Sequence, residues 1–215
     1  NPIPWFEPFH QKGIKCIPVV PTVKLAQRVQ AHGADALVVE GMEAGGHDGK
    51  LTLMALLENV LPDIEIPVIA AGGIADGRGI AASLLMGASG VQMGTRFLLA
   101  EECSLHPKAK DAIMAAADTD SVVTGFTTGD SVRGLKNRFS DRYLKAEYSG
   151  ASPDDLSSIS AGTTKRGALW GDTENGFILA GMSLTHLTKI QSAKEIVEEL
   201  VSETERRLAA APGLI

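Results

Sequence analysis

The chain has 215 residues, of which 44% are hydrophobic and 21% are charged, so it can bury the core of one ordinary globular domain. Its formal net charge of -6 and aromatic content of 5% provide neither the basic surface nor the stacking platform that nucleic acids require. We therefore expect no nucleic-acid partner.

Cysteine content and hydropathy exclude two further classes. The two cysteines, Cys16 and Cys103, stand in neither a metal-ligand spacing nor a C-x-x-C motif, so no metal site is expected. No apolar run approaches the ~20 residues that cross a bilayer, and no basic-then-apolar leader opens the chain. These features predict a cytoplasmic protein that makes no membrane contact.

The first hundred residues alternate between two periodicities. Short apolar runs rich in β-branched residues predict buried parallel strands at residues 14–20, 34–39, 67–71 and 90–93. Helical repeats of apolar residues lie between them, at residues 23–30, 53–60 and 80–86. The helix signals are Thr22 after Pro21, Asp76 as an N-cap and Gly87 as a left-handed stop.

This alternation predicts an α/β fold built from βαβ units. Four such units make half of a TIM (β/α)8 barrel, while an open four-stranded parallel sheet is the competing geometry. Periodicity does not separate the two, because both bury their strands on two faces. The glycine-rich loops described below favour the barrel.

The alternation stops after Phe97, which indicates an inserted lobe. Residues 107–117 predict a helix, 122–131 are rich in Gly, Thr and Ser, 133–148 predict a charged helix, and 149–164 read as loop. Residues 193–208 predict an amphipathic terminal helix with Ile196, Leu200 and Val201 inward. We predict a barrel half at 1–98, a lobe over the active site at 99–190, and a terminal helix packing back on the barrel at 191–215.

The loop that follows the second predicted strand is the most informative segment. It holds Glu40 at the strand end, a single imidazole at His47, and four glycines at positions 41, 45, 46 and 49. Such glycine density is more than packing requires, and it points to a ligand-binding loop at the carboxyl end of a barrel strand. His47 could donate to a carbonyl or transfer a proton there, and Glu40 could bind hydroxyls of a polyol. The alternative is that His47 and the glycines only shape a turn.

Two further loops predict a phosphate site. Gly72 and Gly73 follow the third strand, and Gly94 and Thr95 follow the fourth, both leading toward helix N-termini. Exposed backbone N–H groups and the helix dipole bind phosphate in this position of a barrel. Tight βα turns without a ligand are the alternative.

Other polar residues carry weaker signals. His10, His32, His106 and His186 lack carboxylate or cysteine neighbours at ligand spacing and are predicted to be surface residues. The basic cluster of Arg133, Lys136 and Arg138 fits either the phosphates of a nicotinamide cofactor or a solvated helix face.

Three segments of the chain resemble a known family. They are EGMEAGGHDGKLT at 40–52, IPVIAAGGIADG at 66–77 and VQMGTRF at 91–97. They are similar to the FMN-dependent enoyl-(acyl carrier protein) reductase II, within the nitronate monooxygenase superfamily.

The resemblance implies a cofactor, a reaction and a set of site residues. FMN would be bound through its phosphate by Gly72, Gly73, Gly94 and Thr95, through its ribityl chain by Glu40, and beside its ring by Gly45 and Gly46. NAD(P)H would reduce the flavin, which would pass a hydride to Cβ of a trans-2-enoyl thioester on acyl carrier protein. His47 matches the catalytic histidine and would assist at the thioester carbonyl.

The chain departs from the family at two points. The family's AGQ segment is Ala180-Gly181-Met182 here, which removes one amide side chain. The family's barrel also begins with four earlier strands, so that residues 14–20 correspond to its fifth strand. A half-barrel exposes strand edges and an apolar face. We therefore expect an inactive monomer that needs its missing N-terminal barrel half as a partner, with a homodimer left open.

Three alternatives to the reductase remain at this stage. A nitronate monooxygenase shares the barrel, FMN and the EAGGH segment; we prefer the reductase because GKLT follows the histidine and GM precedes EAGG. A flavin-free lyase or isomerase could bind a sugar phosphate in the same loops. An orphan half-barrel could serve association alone.

Overall fold

The computed structural model describes residues 1–214. Within that range the strands are β1 (Val19–Val20), β2 (Leu37–Glu40), β3 (Gly46–His47), β4 (Val68–Ala71), β5 (Gly90–Gln92), β6 (Ser121–Thr124) and β7 (Val132–Leu135). The α-helices are α1 (Phe6–His10), α2 (Val23–Ala31), α3 (Leu53–Val60), α4 (Gly77–Leu85), α5 (Pro107–Ala115), α6 (Arg138–Tyr148), α7 (Pro153–Ser160), α8 (Thr163–Trp170) and α9 (Ala193–Ala210). Short 3-10 helices lie at Ile3–Trp5, Leu61–Asp63, Thr95–Leu99 and Ala211–Leu214.

The chain divides into two compact units. The sheet unit comprises residues 1–43, 49–93 and the chain from 199 onward, and the lobe unit comprises 44–48 and 94–198. Helix α9 therefore begins in the lobe unit and ends in the sheet unit. Residues 44–48 belong to the lobe unit because β3 pairs with β7, whereas the prediction assigned all of residues 1–98 to the barrel half.

The sheet unit contains a parallel sheet in the order β1-β2-β4-β5. Successive side chains of a strand point to opposite faces, and Leu37 and Val39 of β2 align with Val68 and Ala70 of β4. These four side chains belong to one buried cluster with α2 and α3. The opposite face carries Glu40 and its neighbours.

The helix signals of the sheet unit are confirmed. Thr22 accepts a hydrogen bond from the amide of Leu25 at the start of α2, and Asp76 accepts from the amides of Arg78 and Gly79 at the start of α4. Gly87 follows α4 with a φ of 109°, a conformation that glycine adopts without steric cost.

The first predicted strand is wrong in its length and burial. Only Val19 and Val20 of residues 14–20 form ladder pairs, since Pro18 has no N–H to donate. Ile14, Ile17 and Val19 are about half exposed along this edge of the sheet.

The last turns of α9 cover the start of α4 within the sheet unit. The carboxylate of Glu203 accepts a hydrogen bond from the amide of Gly77 at 2.9 Å. A Cβ on Gly77 would lie 2.6 Å from both Glu203 Cβ and the amide nitrogen of Thr204, so only glycine fits. Of the three residues predicted to face inward on α9, Ile196 and Leu200 are buried, but Val201 is 51% exposed.

The lobe unit contains an antiparallel sheet in the order β3-β7-β6. Its core cluster consists of Phe139, Tyr143, Leu156 and Phe177. Val132 of the central strand β7 packs against this cluster. A Cβ on Gly134 of β7 would lie 2.6 Å from the Phe177 ring, so the strand needs glycine there.

The predicted lobe elements require three corrections. Residues 121–124 form β6 within a stretch read as Gly/Thr/Ser-rich loop. Residues 132–135 form β7, and the helix begins only at Arg138, where the Asn137 side chain caps the Ser140 amide. Residues 153–160 form α7, and α8 begins at Thr163, in a segment predicted as loop. Among residues 1–214, every helix is too short or too polar to cross a bilayer.

Candidate functional site

The carboxyl edge of the parallel sheet carries a carboxylate and an amide on one face, two strands apart. Glu40 at the end of β2 aligns with Ala71 of β4, which aligns with Gln92 of β5. Residues in register share a face, so Glu40 and Gln92 lie on the same face, away from the apolar cluster. The sequence predicts a binding role for Glu40 but not for Gln92. Gln92 could have been identified as a polar residue at the end of an apolar strand.

The loop after β4 turns through two glycines. Gly72 and Gly73 have φ values of 96° and 73°, in the left-handed region that other residues rarely adopt. Glycine adopts this turn without strain. The two glycines directly follow Ala71, the middle residue of the Glu40–Ala71–Gln92 row in the sheet unit.

The N-terminus of α4 does not contribute to a phosphate site, contrary to prediction. Carboxylates of this unit already bind its first amides: Glu203 binds the amide of Gly77, and Asp76 binds those of Arg78 and Gly79. An anion would displace these hydrogen bonds and meet two negative side chains. Any phosphate contact in this unit therefore falls to the Gly72–Gly73 loop.

The glycines of the 40–50 loop have structural explanations. A Cβ on Gly41 would contact the Glu43 carboxylate and lie 2.7 Å from Leu53 Cα, and a Cβ on Gly49 would lie 2.8 Å from Pro21. A Cβ on Gly45 would lie 2.6 Å from the Ala180 carbonyl carbon. Gly46 has open space around it but a φ of 91°. Packing therefore requires glycine at positions 41, 45 and 49, and the backbone conformation favours it at 46, while the binding role of this loop stays a prediction.

Glu43, which sequence analysis passed over, anchors the sheet-unit end of this loop. Both its carboxylate oxygens accept from the Leu53 amide, at 3.1 and 2.9 Å. It thus substitutes for Thr52, whose side chain makes no cap hydrogen bond at the start of α3.

His47 lies on β3, held by two ladder positions against β7. It pairs with Val132, and Gly46 pairs with Arg133. Its Nε2 lies 3.2 Å from Asp130 Oδ1, and both side chains are about three-quarters exposed. The carboxylate orients the imidazole and leaves Nδ1 as the nitrogen available to a ligand.

A buried ion pair fixes this strand pairing. Arg133 Nη2 lies 3.6 Å from Asp48 Oδ2, and both side chains are buried. Arg133 also donates to the hydroxyl of Ser121 at 3.3 Å. Arg133 is therefore a structural residue of β7, and neither predicted role, cofactor phosphate or solvated helix face, applies to it. Arg138, by contrast, is exposed and pairs with Glu174.

Gly45 and Thr95 meet at the segment that departs from the family. The Gly181 amide donates to Thr95 Oγ1 at 2.9 Å, and Gly45 packs directly on the Ala180–Gly181 peptide. Met182, in the place of the family's glutamine, is 43% exposed.

The lobe unit carries a half-open cavity of about 330 Å³ with His47 and Asp130 on its wall. Its buried floor is formed by Phe139, Leu156 and Phe177. This volume lies at the lower end of the range for small-molecule pockets. An apolar floor below an exposed imidazole can bind an apolar substituent while a polar group stays near the imidazole.

His10 has the carboxylate and cysteine neighbours that sequence analysis did not expect. Its Nε2 lies 2.8 Å from Asp35 Oδ2, Lys15 Nζ lies 2.7 Å from the other oxygen, and the Cys16 amide donates to Asp35. Ligand-type atoms of His10, Cys16 and Asp35 all lie within 4.8 Å of one another. The hydrogen bond from the Cys16 amide, then those from Lys15 and His10, hold the pKa of Asp35 far below its usual value. This cluster joins chain segments that flank β1.

The predicted site residues fall into both units. The sheet unit contains Glu40, Gly72 and Gly73, and the lobe unit contains Gly45, Gly46, His47, Gly94 and Thr95. The structure joins Glu40 to the Gly72–Gly73 loop in the first unit, and Gly45 to Thr95 in the second.

A family model and several known proteins match most of the chain. The family model of nitronate monooxygenase matches residues 6–203. A probable nitronate monooxygenase of Staphylococcus aureus is 35% identical over 90% of this chain and 57% of its own length. A hydroxy-methyl-oxo-octahydro-indene carboxyl-CoA dehydrogenase of Rhodococcus jostii is 32% identical over 94% of this chain and 68% of its own length.

The solved structure of FabK covers the chain completely. FabK of Thermotoga maritima superposes with a TM-score of 0.96 and 39% identity over 100% of this chain and 68% of its own length. That protein is a TIM barrel, so the parallel sheet is part of such a barrel, as predicted, and not an open sheet. The chain spans little more than half the length of the Staphylococcus aureus relative.

Proposed function

Because the chain belongs to the nitronate monooxygenase family, we propose that it supplies the catalytic histidine and part of the flavin site of an FMN-dependent, NAD(P)H-consuming enoyl-thioester reductase. The observation that carries the proposal is the 0.96 TM-score to FabK, an enoyl-ACP reductase II, over the whole chain. The Rhodococcus jostii relative, named for a carboxyl-CoA substrate, adds support for a thioester.

The residues of the chain fit FMN, taking each unit by itself. In the sheet unit, Glu40 and Gln92 offer an acceptor and an amide to polyol hydroxyls. The Glu43 side chain packs beside Gly73, and the phosphate contact of the Gly72–Gly73 loop stays a prediction. In the lobe unit, a Cβ on Gly94 would meet open space, as a ligand-contacting glycine requires. The ring contacts of Gly45 and Gly46 and the phosphate contacts of Gly94 and Thr95 stay predictions.

The chain's own residues supply binding and proton chemistry. FMN, when bound, supplies hydride transfer. Protonated His47 can donate from Nδ1 to the thioester carbonyl oxygen, which polarises the conjugated double bond, and can then deliver that proton to Cα, leaving a neutral ring with its Nε2–H towards Asp130. Asp130 holds the ring by its other nitrogen. The apolar residues of the lobe cavity can pack against the apolar part of the substrate.

Activity belongs to the assembled enzyme, by which we mean this chain together with the four preceding barrel strands. The chain spans 57% of the Staphylococcus aureus relative and 68% of FabK, and β1 and β5 are the edge strands of its parallel sheet. The missing N-terminal barrel half is therefore the proposed partner.

The test compares two reactions on one preparation of the assembled enzyme. We expect NAD(P)H oxidation that depends on a crotonyl thioester, and a loss of roughly 10²–10⁴-fold in kcat for His47→Asn with an unchanged FMN content. Oxygen uptake driven by an alkyl nitronate, without thioester reduction, would contradict the reductase.

The second candidate is a nitronate monooxygenase. The names of the Staphylococcus aureus relatives favour it, and it uses the same histidine and flavin site. The two-reaction comparison decides between them.

A further inference from the structure

The lobe cavity is lined by one buried residue whose hydroxyl the fold does not use. Of the buried hydroxyls that line the cavity, Thr124 donates to the Val132 carbonyl at 3.3 Å, and Thr163 donates to the Ser160 carbonyl at 2.7 Å. The hydroxyl of Tyr143 has no hydrogen-bond partner among residues 1–214, although Tyr143 is only 6% exposed. The ring is buried while the hydroxyl stays accessible to water, so an occupant that displaces this water must offer the hydroxyl an acceptor or leave it unsatisfied.

Packing holds the Tyr143 ring at the cavity. The Tyr143 ring packs against Phe139 with ring centroids 5.9 Å apart and belongs to the lobe core with Leu156 and Phe177. Tyr143, His47 and Asp130 line the same cavity. The ring is thus fixed by the core and borders the same cavity as the imidazole.

The hydroxyl remains a donor across the physiological range. Burial raises the pKa of Tyr143, and the carboxylates of Glu147 and Asp130 raise it further. A neutral phenol donates to a carbonyl oxygen, whereas a phenolate would repel it.

We propose that Tyr143 is a substrate-binding residue whose hydroxyl donates to a carbonyl oxygen of the acyl thioester inside the lobe cavity, while His47 acts at the exposed end. The inference rests on the proposed thioester substrate and deepens it. The acceptor is either the thioester carbonyl itself or an amide carbonyl of the pantetheine arm. A purely hydrocarbon occupant would leave the hydroxyl unsatisfied, so the cavity favours a substrate with an acceptor in this position.

The test measures binding by calorimetry to the FMN-loaded assembled enzyme without NAD(P)H, so that no turnover occurs. Tyr143→Phe keeps the ring and removes the hydroxyl. We expect its Kd for crotonyl-pantetheine to rise roughly tenfold, as for the loss of one neutral hydrogen bond. The matched control is Tyr148→Phe on the same helix, whose ring is 75% exposed and should leave the Kd unchanged.

Two analogues identify the acceptor. S-Butyl-pantetheine lacks the thioester carbonyl, and S-methyl thiocrotonate lacks the amides. If Tyr143→Phe raises the Kd only for S-butyl-pantetheine, the acceptor is an amide of the arm. If it raises the Kd only for S-methyl thiocrotonate, the acceptor is the thioester carbonyl. No penalty with crotonyl-pantetheine overturns the inference.

Thermal unfolding separates binding from a structural role. Removing an unpartnered hydroxyl should leave the Tm of Tyr143→Phe equal to or above that of the wild type. A lowered Tm would mean that the hydroxyl stabilises the fold, which contradicts the inference. If the wild type binds no thioester, the proposed function fails and this inference with it; if it binds thioesters and Tyr143→Phe matches it, this inference alone fails.

Discussion

Single side chains in this protein take their roles from what the fold brings beside them. Sequence analysis could place Glu40 at a strand end, because the end of an apolar run is visible in the sequence. Gln92 and Tyr143 were missed, since their roles depend on register between strands and on a core that forms from residues far apart. Arg133 was misread for the same reason: its partner Asp48 comes from another part of the chain.

The Asp35 cluster predicts a pH-dependent stability. The Cys16 amide, Lys15 and His10 hold the carboxyl pKa of Asp35 low in the folded protein. The ionised carboxylate therefore stabilises the fold fully above the pKa that Asp35 has in the unfolded chain. This stabilisation is lost as the pH falls through the pKa of the folded state. Asp35→Asn should therefore unfold at a lower temperature than the wild type at pH 7, with the gap narrowing below about pH 4.

Circular dichroism melts of the assembled enzyme across this pH range provide the measurement. Asp118→Asn is the control, because Asp118 is exposed and has no hydrogen-bond or ion-pair partner in the described part of the chain. A constant gap between Asp35→Asn and the wild type from pH 7 to pH 3 would show that the carboxylate charge is not what stabilises the cluster.

Helices and strands were predictable where their signals are local. Thr22 and Asp76 cap α2 and α4 as expected, because a cap needs only residues within one turn. Strand β7 was read as helix, because its partner β3 lies far away in the sequence and its hairpin partner β6 begins a stretch noted only for its Gly, Thr and Ser content. Helix α7 was predictable in principle: Ser152 caps it, Pro153 follows, and two aspartates occupy its first turn.

The contact between α9 and α4 predicts a large effect of one methyl group. Gly77→Ala would force Cβ to within 2.6 Å of the Thr204 backbone, so α9 must shift and the Glu203 hydrogen bond must lengthen. We expect a loss of about 1–3 kcal/mol in the free energy of unfolding.

Urea denaturation of the assembled enzyme measures this loss. Gly90→Ala is the matched control, since a Cβ there meets nothing within 4 Å, and it should be neutral or slightly stabilising. Equal stabilities of the two variants would mean that α9 does not pack tightly on α4.

At the scale of the whole molecule, the parallel sheet ends in two edge strands. Val19 of β1 is about half exposed, as are Ile14 and Ile17 before it. Exposed apolar edge strands promote association with further strands. In FabK, which this chain matches over 68% of its length, the sheet is part of a barrel.

We predict that this chain produced alone aggregates or retains no FMN, and that coexpression with the N-terminal barrel half of a family member yields a yellow, stoichiometric complex. Size-exclusion chromatography with absorbance at the flavin bands is the measurement. A monomeric, FMN-loaded and active preparation of residues 1–215 alone would contradict it.

The membership of β3 in the lobe unit has a consequence for inheritance. The five residues that carry His47 are separated from the rest of their unit by a whole stretch of sheet-unit sequence, yet they share a ladder and a buried ion pair with β7. Recombination between related genes could exchange the segment with β3 without the segment with β7. The ladder and the ion pair would then both be mismatched. Variation in substrate preference should therefore pass between lineages as a linked pair of segments, while the parallel sheet drifts independently.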